Sequence, residues 1–340
     1  MTTPITTKKI LIVAPAWVGD MVMSQTLYQL LKQQDPNVII DVIAPPATAP
    51  LARCMPEIRN TTTIPNRYGE LTFKQRFEIA RALRQEQYDT ALVLPNSFMS
   101  ALLPFFARIP QRIGWARECR SLILTDSRRL DKKRWPLMIE RFMALALPKT
   151  TTLSKPYPRP HFTVNPTTVS ATRDKFNLHD SKPILALCPG AEFGPAKRWP
   201  EQYYAEVAQQ RLAAGWQVWL FGSKKDQEVA ATIQKICNDA CIDLTGRTNL
   251  VEAIDLLSCA TQVLSNDSGL MHIAAALGRP AVVIYGSTDP GFTPPLSDHI
   301  KILRLGLPCS PCFERECPLQ HLKCLRDLKP ALALQALDEL

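Results

Sequence analysis

Short apolar runs recur along this chain, and each is followed by a longer stretch with helical spacing. In the first half "KILIVA", "VIIDVIA" and "DTALVLP" read as strands buried on both faces, because their apolar residues run on instead of alternating. Between and after them, "DMVMSQTLYQLLKQQ", "FKQRFEIARALRQEQ" and "WPLMIERFMALAL" read as helices. The second half restarts the pattern. Its strands are "PILALC", "QVWLFG", "TQVLSN" and "PAVVIYG", interleaved with helices near "EQYYAEVAQQRLAAG", "KKDQEVAATIQKIC", "LVEAIDLLSCA" and "SGLMHIAAALG". Such alternation requires crossover connections and a mainly parallel sheet. The fold class is therefore α/β with two Rossmann-like domains, which 340 residues suit.

Between the halves lies "PKTTTLSKPYPRPHFTVNPTT", where Pro148, Pro156, Pro158, Pro160 and Pro166 fall among threonines. This stretch reads as unable to sustain a helix or a central strand. The expected boundaries are a domain over 1–150, a linker region over 151–182 and a domain over 183–340. Strand C-terminal ends of two such domains are expected to face a cleft.

Several function classes drop out early. No apolar run approaches the ~18 residues of a transmembrane helix, and the opening "MTTPITTKK" lacks the apolar core of a secretory signal, so a cytoplasmic protein is expected. Gly-x-Gly-x-x-Gly is absent, which disfavours a dinucleotide oxidoreductase. Gly-x-Ser-x-Gly is absent too, and the five histidines show no metal-ligand spacing. The net charge of +9 is concentrated: nine basic residues lie between Arg108 and Arg134 against three acids. This is either a solvated basic face or a surface for a polyanion, and no nucleic-acid-binding module accompanies it.

Chemistry concentrates at strand ends. "APAWVGDMVMSQ" places Asp20 behind the first strand, a position that suits a helix N-cap. "CPGAEFGPAKRWP" combines Gly190 and Gly194 with Lys197 and a helix start, the ingredients of an anion site. "SNDSGLMHIAAALG" sets Asp267, Ser268 and Gly269 at a strand-to-helix turn. Ser268 is a candidate N-cap, and His272 lies one turn onward. "FGSKKD" and "LTGRTNL" offer Ser223 and Thr248 beside a base or ribose. No Asp-x-Asp occurs, so no catalytic metal and no cofactor are expected. Separately, Cys309, Cys312, Cys317 and Cys324 are spaced C-x2-C-x4-C-x6-C, which leaves structural zinc, free thiols and a disulfide pair all open.

These stretches, together with "VLPNSFMSALLPFFARIPQRIGW", resemble glycosyltransferase family 9, the ADP-heptose:lipopolysaccharide heptosyltransferases, from about Lys9 to Arg304. The Pro-Gly-Ala-Glu-Phe-Gly-Pro-Ala-Lys-Arg-Trp-Pro run is similar to the branch that adds the second heptose. The resemblance implies a GT-B fold, with acceptor bound by the N-terminal domain and ADP-heptose by the C-terminal one. It implies inverting transfer of L-glycero-D-manno-heptose to the first heptose of the lipopolysaccharide inner core, with heptosyl-Kdo-lipid A as acceptor. Asp20 matches the family's base, and Lys197 its diphosphate contact. Asp267, Ser268, Gly269 and His272 would line the heptose–diphosphate region, and Thr248 would lie near adenine. Where the first-heptose enzyme has a Glu for the ribose, this chain has Lys224, which leaves Asp226 or a backbone group for that task. Arg112, Arg117 and Arg120 would meet acceptor phosphates and carboxylates, with peripheral contact at the inner face of the inner membrane. The rival readings are a heptosyltransferase with a different core acceptor and a sugar-nucleotide epimerase of similar architecture.

Overall fold

Strands in the described residues sort by sequence half into two sheets. The computed structural model describes residues 7–65, 72–179 and 181–340, so part of the opening segment read for a signal, residues 1–6, lies outside them. The first sheet holds β1 (Lys9–Val13), β2 (Ile39–Ala44), β3 (Ile58–Thr63), β4 (Thr90–Val93), β5 (Gln111–Trp115) and β6 (Asp126–Arg128), in the order β3-β2-β1-β4-β5-β6. The second holds β7 (Ile184–Cys188), β8 (Gln217–Leu220), β9 (Ile242–Asp243), β10 (Gln262–Asn266), β11 (Ala281–Ile284) and β12 (Ile300–Leu303), in the order β12-β11-β10-β7-β8-β9. The ladders are parallel throughout, with Ile10 opposite Ile40 and Thr90 in the first sheet, and Leu187 opposite Leu264 and Leu220 in the second.

Both orders are one doubly wound arrangement used twice. The chain winds outward from its first strand, then returns to that strand's other side. The reversal falls between β1 and β4 in one sheet and between β7 and β10 in the other. Residues entering the carboxyl-end crevice at such a reversal are the ones a ligand meets.

The strands flanking each reversal are buried almost throughout. β4, β7 and β10 are buried along their whole length, and β1 is buried after Lys9. Their side chains join those of neighbouring elements in two cores, with Leu11, Val13, Val93 and Leu103 in the first, and Leu187, Trp199, Leu220 and Ile284 in the second. At ~25 cal/mol per Å² of apolar surface, each fully buried Leu or Ile contributes roughly 1.5–3 kcal/mol.

The chain divides into two compact units, Met1–Pro160 and His161–Leu340. The linker region expected over 151–182 departs from the sequence expectation, since a helix runs from Pro166 to Lys175 inside it. Pro166 starts this helix and does not break it. At the first helical position a proline's missing N–H costs nothing, and Asn165 caps by accepting from the Thr167 N–H at 2.9 Å. Thr172 then donates to Asp255 of the helix Leu250–Leu257 at 3.0 Å, which ties this segment to the second unit. Among the described residues no helix is long and apolar enough to cross a membrane.

Candidate functional site

At the reversal in the second sheet, one residue organises two loops. Asn266 ends β10, and its amide donates to the Pro189 carbonyl at 2.6 Å. Its oxygen accepts from the Trp199 N–H at 3.1 Å and the Tyr204 hydroxyl at 3.0 Å. Both ends of the loop after β7 are thereby fixed to the end of β10. A short 3-10 turn, Pro195–Lys197, sits between those anchors and carries the lysine.

Lys197 meets Asp267 there, Nζ to Oδ2 at 2.6 Å, with side-chain exposures of 14% and 5%. The Thr288 hydroxyl, from the loop after β11, donates to the same carboxylate oxygen. The Phe193 ring lies 5.0 Å from the lysine ammonium. His272 is buried in the helix Gly269–Ala276, and burial pushes its pKa down to about 4, with the nearby Asp267 charge opposing and Lys197 assisting. The imidazole is therefore neutral at pH 7, a hydrogen-bonding group and not a cation. Ser268 holds the N-cap position, as expected, but its hydroxyl makes no cap. It lies 3.3 Å from the Ser265 hydroxyl instead. The first turn of this helix, beginning at Gly269, is left without a side-chain cap.

The glycines do something other than expected. A Cβ on Gly190 would stand 2.5 Å from the Asp226 carboxyl carbon, so the close approach at Gly190 is to Asp226 and not to a ligand. Asp226 in turn accepts from the Ser223 N–H and hydroxyl, both at 2.8 Å, and is 8% exposed. This capping box occupies one oxygen of the Asp226 carboxylate with the Ser223 backbone and hydroxyl. Gly194 approaches another backbone: its Cβ would lie 2.5 Å from the Arg315 carbonyl oxygen. Thr248 is half-buried just before the helix cap Asn249, in the loop after β9. Nearby, the Thr245 hydroxyl is buried without a partner, while its methyl faces the Gly222 position.

In the first unit Asp20 lies at the reversal between β1 and β4. It is half-buried in the first turn of the helix Val18–Gln34, whose N-cap position is Trp17. The N-cap reading of Asp20 is thus corrected. The carboxylate is three residues past the cap, where the helix dipole favours negative charge.

The basic segment resolves into two kinds of residue. Arg120 is fully buried, donating to the Trp115 carbonyl at 2.6 Å, to the Pro95 carbonyl and to Asn96 at 3.2 Å, and burial pulls its pKa down to about 10. Arg112 stands near the amino end of β5, with its guanidinium on the Ile123 and Ile109 carbonyls at 2.8 and 2.6 Å. Neither is presented to an acceptor, because each guanidinium is used to hold backbone. Arg117 is exposed beyond the carboxyl end of β5.

The four clustered cysteines are half-buried free thiols, and burial first, then the neighbouring Cys309, Cys317 and Cys312, push the Cys324 thiol up. Backbone N–H groups, that of Leu322 foremost, lower the Cys317 thiol. Among the described residues no group of three or more His, Cys, Asp or Glu has an arrangement that could hold a metal ion. Reading the sequence found Lys197, Asp267 and His272 but missed Asn266, Thr288 and Phe193. Asn266 and Phe193 lie within the motifs themselves, whereas "GSTDP" around Thr288 gives no local signal.

A family model described as glycosyltransferase family 9 (heptosyltransferase) matches residues 76–323. The lipopolysaccharide heptosyltransferase 2 of Escherichia coli K12 is 44% identical over 341 aligned positions, covering 98% of each chain. That of Salmonella typhimurium LT2 is 47% identical over 306, covering 87% of this chain and 88% of its own. A solved structure of the E. coli ADP-heptose LPS heptosyltransferase II, 43% identical, matches with a TM-score of 0.86 over 97% of this chain and 98% of that one.

Proposed function

This chain belongs to glycosyltransferase family 9, the heptosyltransferases, and from that premise we propose that it moves L-glycero-D-manno-heptose from ADP-heptose to the first heptose of the lipopolysaccharide inner core. The observation that carries the reading is the Lys197–Asp267–Thr288 cluster at the β7/β10 reversal, in a chain 44% identical throughout to a lipopolysaccharide heptosyltransferase 2. The epimerase rival gives way to the family membership.

In the proposed chemistry the second unit holds the donor. Lys197 and the uncapped first turn at Gly269 stabilise the charge that grows on ADP as the glycosidic bond to phosphate breaks. His272, neutral, hydrogen-bonds the heptose or a phosphate oxygen. Thr248 and the Thr245 hydroxyl serve the nucleoside. The first unit binds the acceptor, and Asp20 takes the proton from the attacking hydroxyl, which requires that oxygen within ~2.6–3.2 Å or one bridging water. A single displacement inverts the anomeric centre. The sequence lacks an Asp-x-Asp pair, so the diphosphate relies on cationic side chains and not on a held metal. Arg117 and the exposed Arg129, Lys132 and Lys133 give the first unit a basic face toward acceptor phosphates and an anionic leaflet, a peripheral contact.

The test is direct. The purified protein is incubated with ADP-heptose and core acceptors carrying zero, one or two heptoses. Transfer to the one-heptose acceptor alone is expected, and transfer to either of the others would give the chain a different acceptor. Asp20→Asn should fold, bind ADP and lose turnover by at least ~10²-fold. Near-normal turnover would remove the base assignment.

A further inference from the structure

The segment 304–322, which carries three of the four clustered cysteines, forms neither helix nor strand. It is nevertheless fastened to the carboxyl edge of the second sheet. The Ser310 hydroxyl donates to the Gly286 carbonyl at 2.6 Å, and the Phe313 N–H to the Ser287 carbonyl at 2.7 Å. A third bond reaches the lysine-bearing loop, where the Ala196 N–H donates to the Arg315 carbonyl at 3.0 Å. The contact is tight enough that Gly194 has no room for a side chain against it.

Once the backbone is placed there, the Arg315 side chain lies against Phe193, with the guanidinium carbon 5.6 Å from the ring centroid. The Lys197 ammonium is 5.0 Å from the same ring. Two cations thus share one aromatic platform. Of the charged triplet Glu314-Arg315-Glu316, Arg315 is the member against the ring. Among the described residues no carboxylate pairs with it, whereas Asp267 pairs with Lys197.

Charge counting gives this arrangement its meaning. Lys197 and Asp267 cancel, and His272 is neutral at pH 7, so the cluster at the β7/β10 reversal offers no net positive charge to a diphosphate. The exposed guanidinium beside it does, and its planar fork suits two phosphate oxygens at once. We propose that Arg315 binds the donor's diphosphate beside Lys197, so that the cysteine-bearing segment supplies the site with its second cation. This rests on the reading of the second unit as the donor-binding one.

Calorimetric titration of the full chain with ADP, AMP and adenosine tests it, in the wild type and in Arg315→Gln, Arg315→Lys and Lys197→Met. The Arg315→Gln protein is expected to bind ADP about tenfold more weakly, with adenosine affinity unchanged and part of the loss restored in Arg315→Lys. Its melting temperature should match the wild type, because the carbonyl and not the guanidinium makes the docking bond. ADP binding by Arg315→Gln at wild-type strength, with Lys197→Met weakened, overturns the assignment while leaving the donor reading standing. Equal losses for ADP and adenosine would make Arg315 structural and also overturn it. A wild type that binds ADP no better than adenosine sinks the donor reading itself.

Discussion

Replacing Lys197 by Met tests the ion pair at the candidate site. The pair is 2.6 Å long, and its two side chains are 14% and 5% exposed. With an effective dielectric of ~20 the gross attraction at that distance is about 6 kcal/mol, most of it offset by the desolvation of both ions. What decides the outcome is the carboxylate left behind. In Lys197→Met, Asp267 stays buried with the Thr288 hydroxyl as its remaining hydrogen-bond donor on that oxygen. Removing one member of a buried pair costs roughly 3–5 kcal/mol, and the threonine hydroxyl argues for the lower figure. Adding Asp267→Asn removes the stranded charge, so the double variant should recover about 2 kcal/mol of the loss. Urea unfolding of the unligated protein reports this through tryptophan fluorescence, since Trp199 and Trp219 are both buried in the second unit. A coupling below ~0.5 kcal/mol between the two substitutions would refute the claim that Asp267 depends on Lys197.

Acid should act through His272. Its folded pKa is pushed down to about 4 against an ordinary 6.5, so its contribution is present above pH 6.5 and is lost as the pH falls through about 4. A urea midpoint that falls for the wild type between pH 7 and pH 4.5, but falls less for His272→Gln, is the expected result; parallel falls would count against it. Arg120→Met should destabilise the first unit by ~3 kcal/mol through stranded carbonyls of Trp115 and Pro95, whereas Arg117→Ala should leave the melting temperature unchanged and weaken acceptor binding. Gly190→Ala forces a methyl to within 2.5 Å of the Asp226 carboxyl carbon and should cost about 1–3 kcal/mol, a loss that Asp226→Ser in the same chain partly relieves in thermal melts.

The strands legible in the sequence and the strands missed differ in where they lie. "KILIVA", "DTALVLP" and "PILALC" flank the reversals, are covered on both faces, and so read as apolar runs; "TQVLSN" flanks one too but has only Val263 and Leu264 as its apolar residues. The outermost strands β3, β6, β9 and β12 carried no such signal, and neither did β5, one place in from the edge of the first sheet. "IRNTTT" is half-buried at Ile58 and Thr61 and exposed elsewhere, and "ID" is too short to show a period. The helix at Pro166 was missed for a different reason: proline was weighed as a breaker without asking whether it stood at the first position. At the site, residues that act through local order, such as Lys197 before Trp199-Pro200, were visible. Arg120 was misjudged because charge alone does not distinguish a guanidinium aimed at solvent from one wrapped in carbonyls. Thr288 and Arg315 reach the site from distant loops, and nothing in their neighbours' identities announces it.

The same fold used twice answers why the first βα turn lacks a glycine-rich phosphate loop. A helix N-terminus at a reversal presents positive potential and unpaired N–H groups, and that end attracts an anion. In the first unit the anion is built in, since Asp20 sits in the first turn of the helix Val18–Gln34. A phosphate would meet like charge there. In the second unit the corresponding carboxylate, Asp267, precedes its helix and is drawn onto Lys197 and Thr288, while Ser268 declines to cap. The first turn at Gly269 is therefore left for an external anion. In the proposed chemistry, one carboxylate placed within the helix and one placed before it distinguish the unit that offers a base from the unit that accepts a diphosphate.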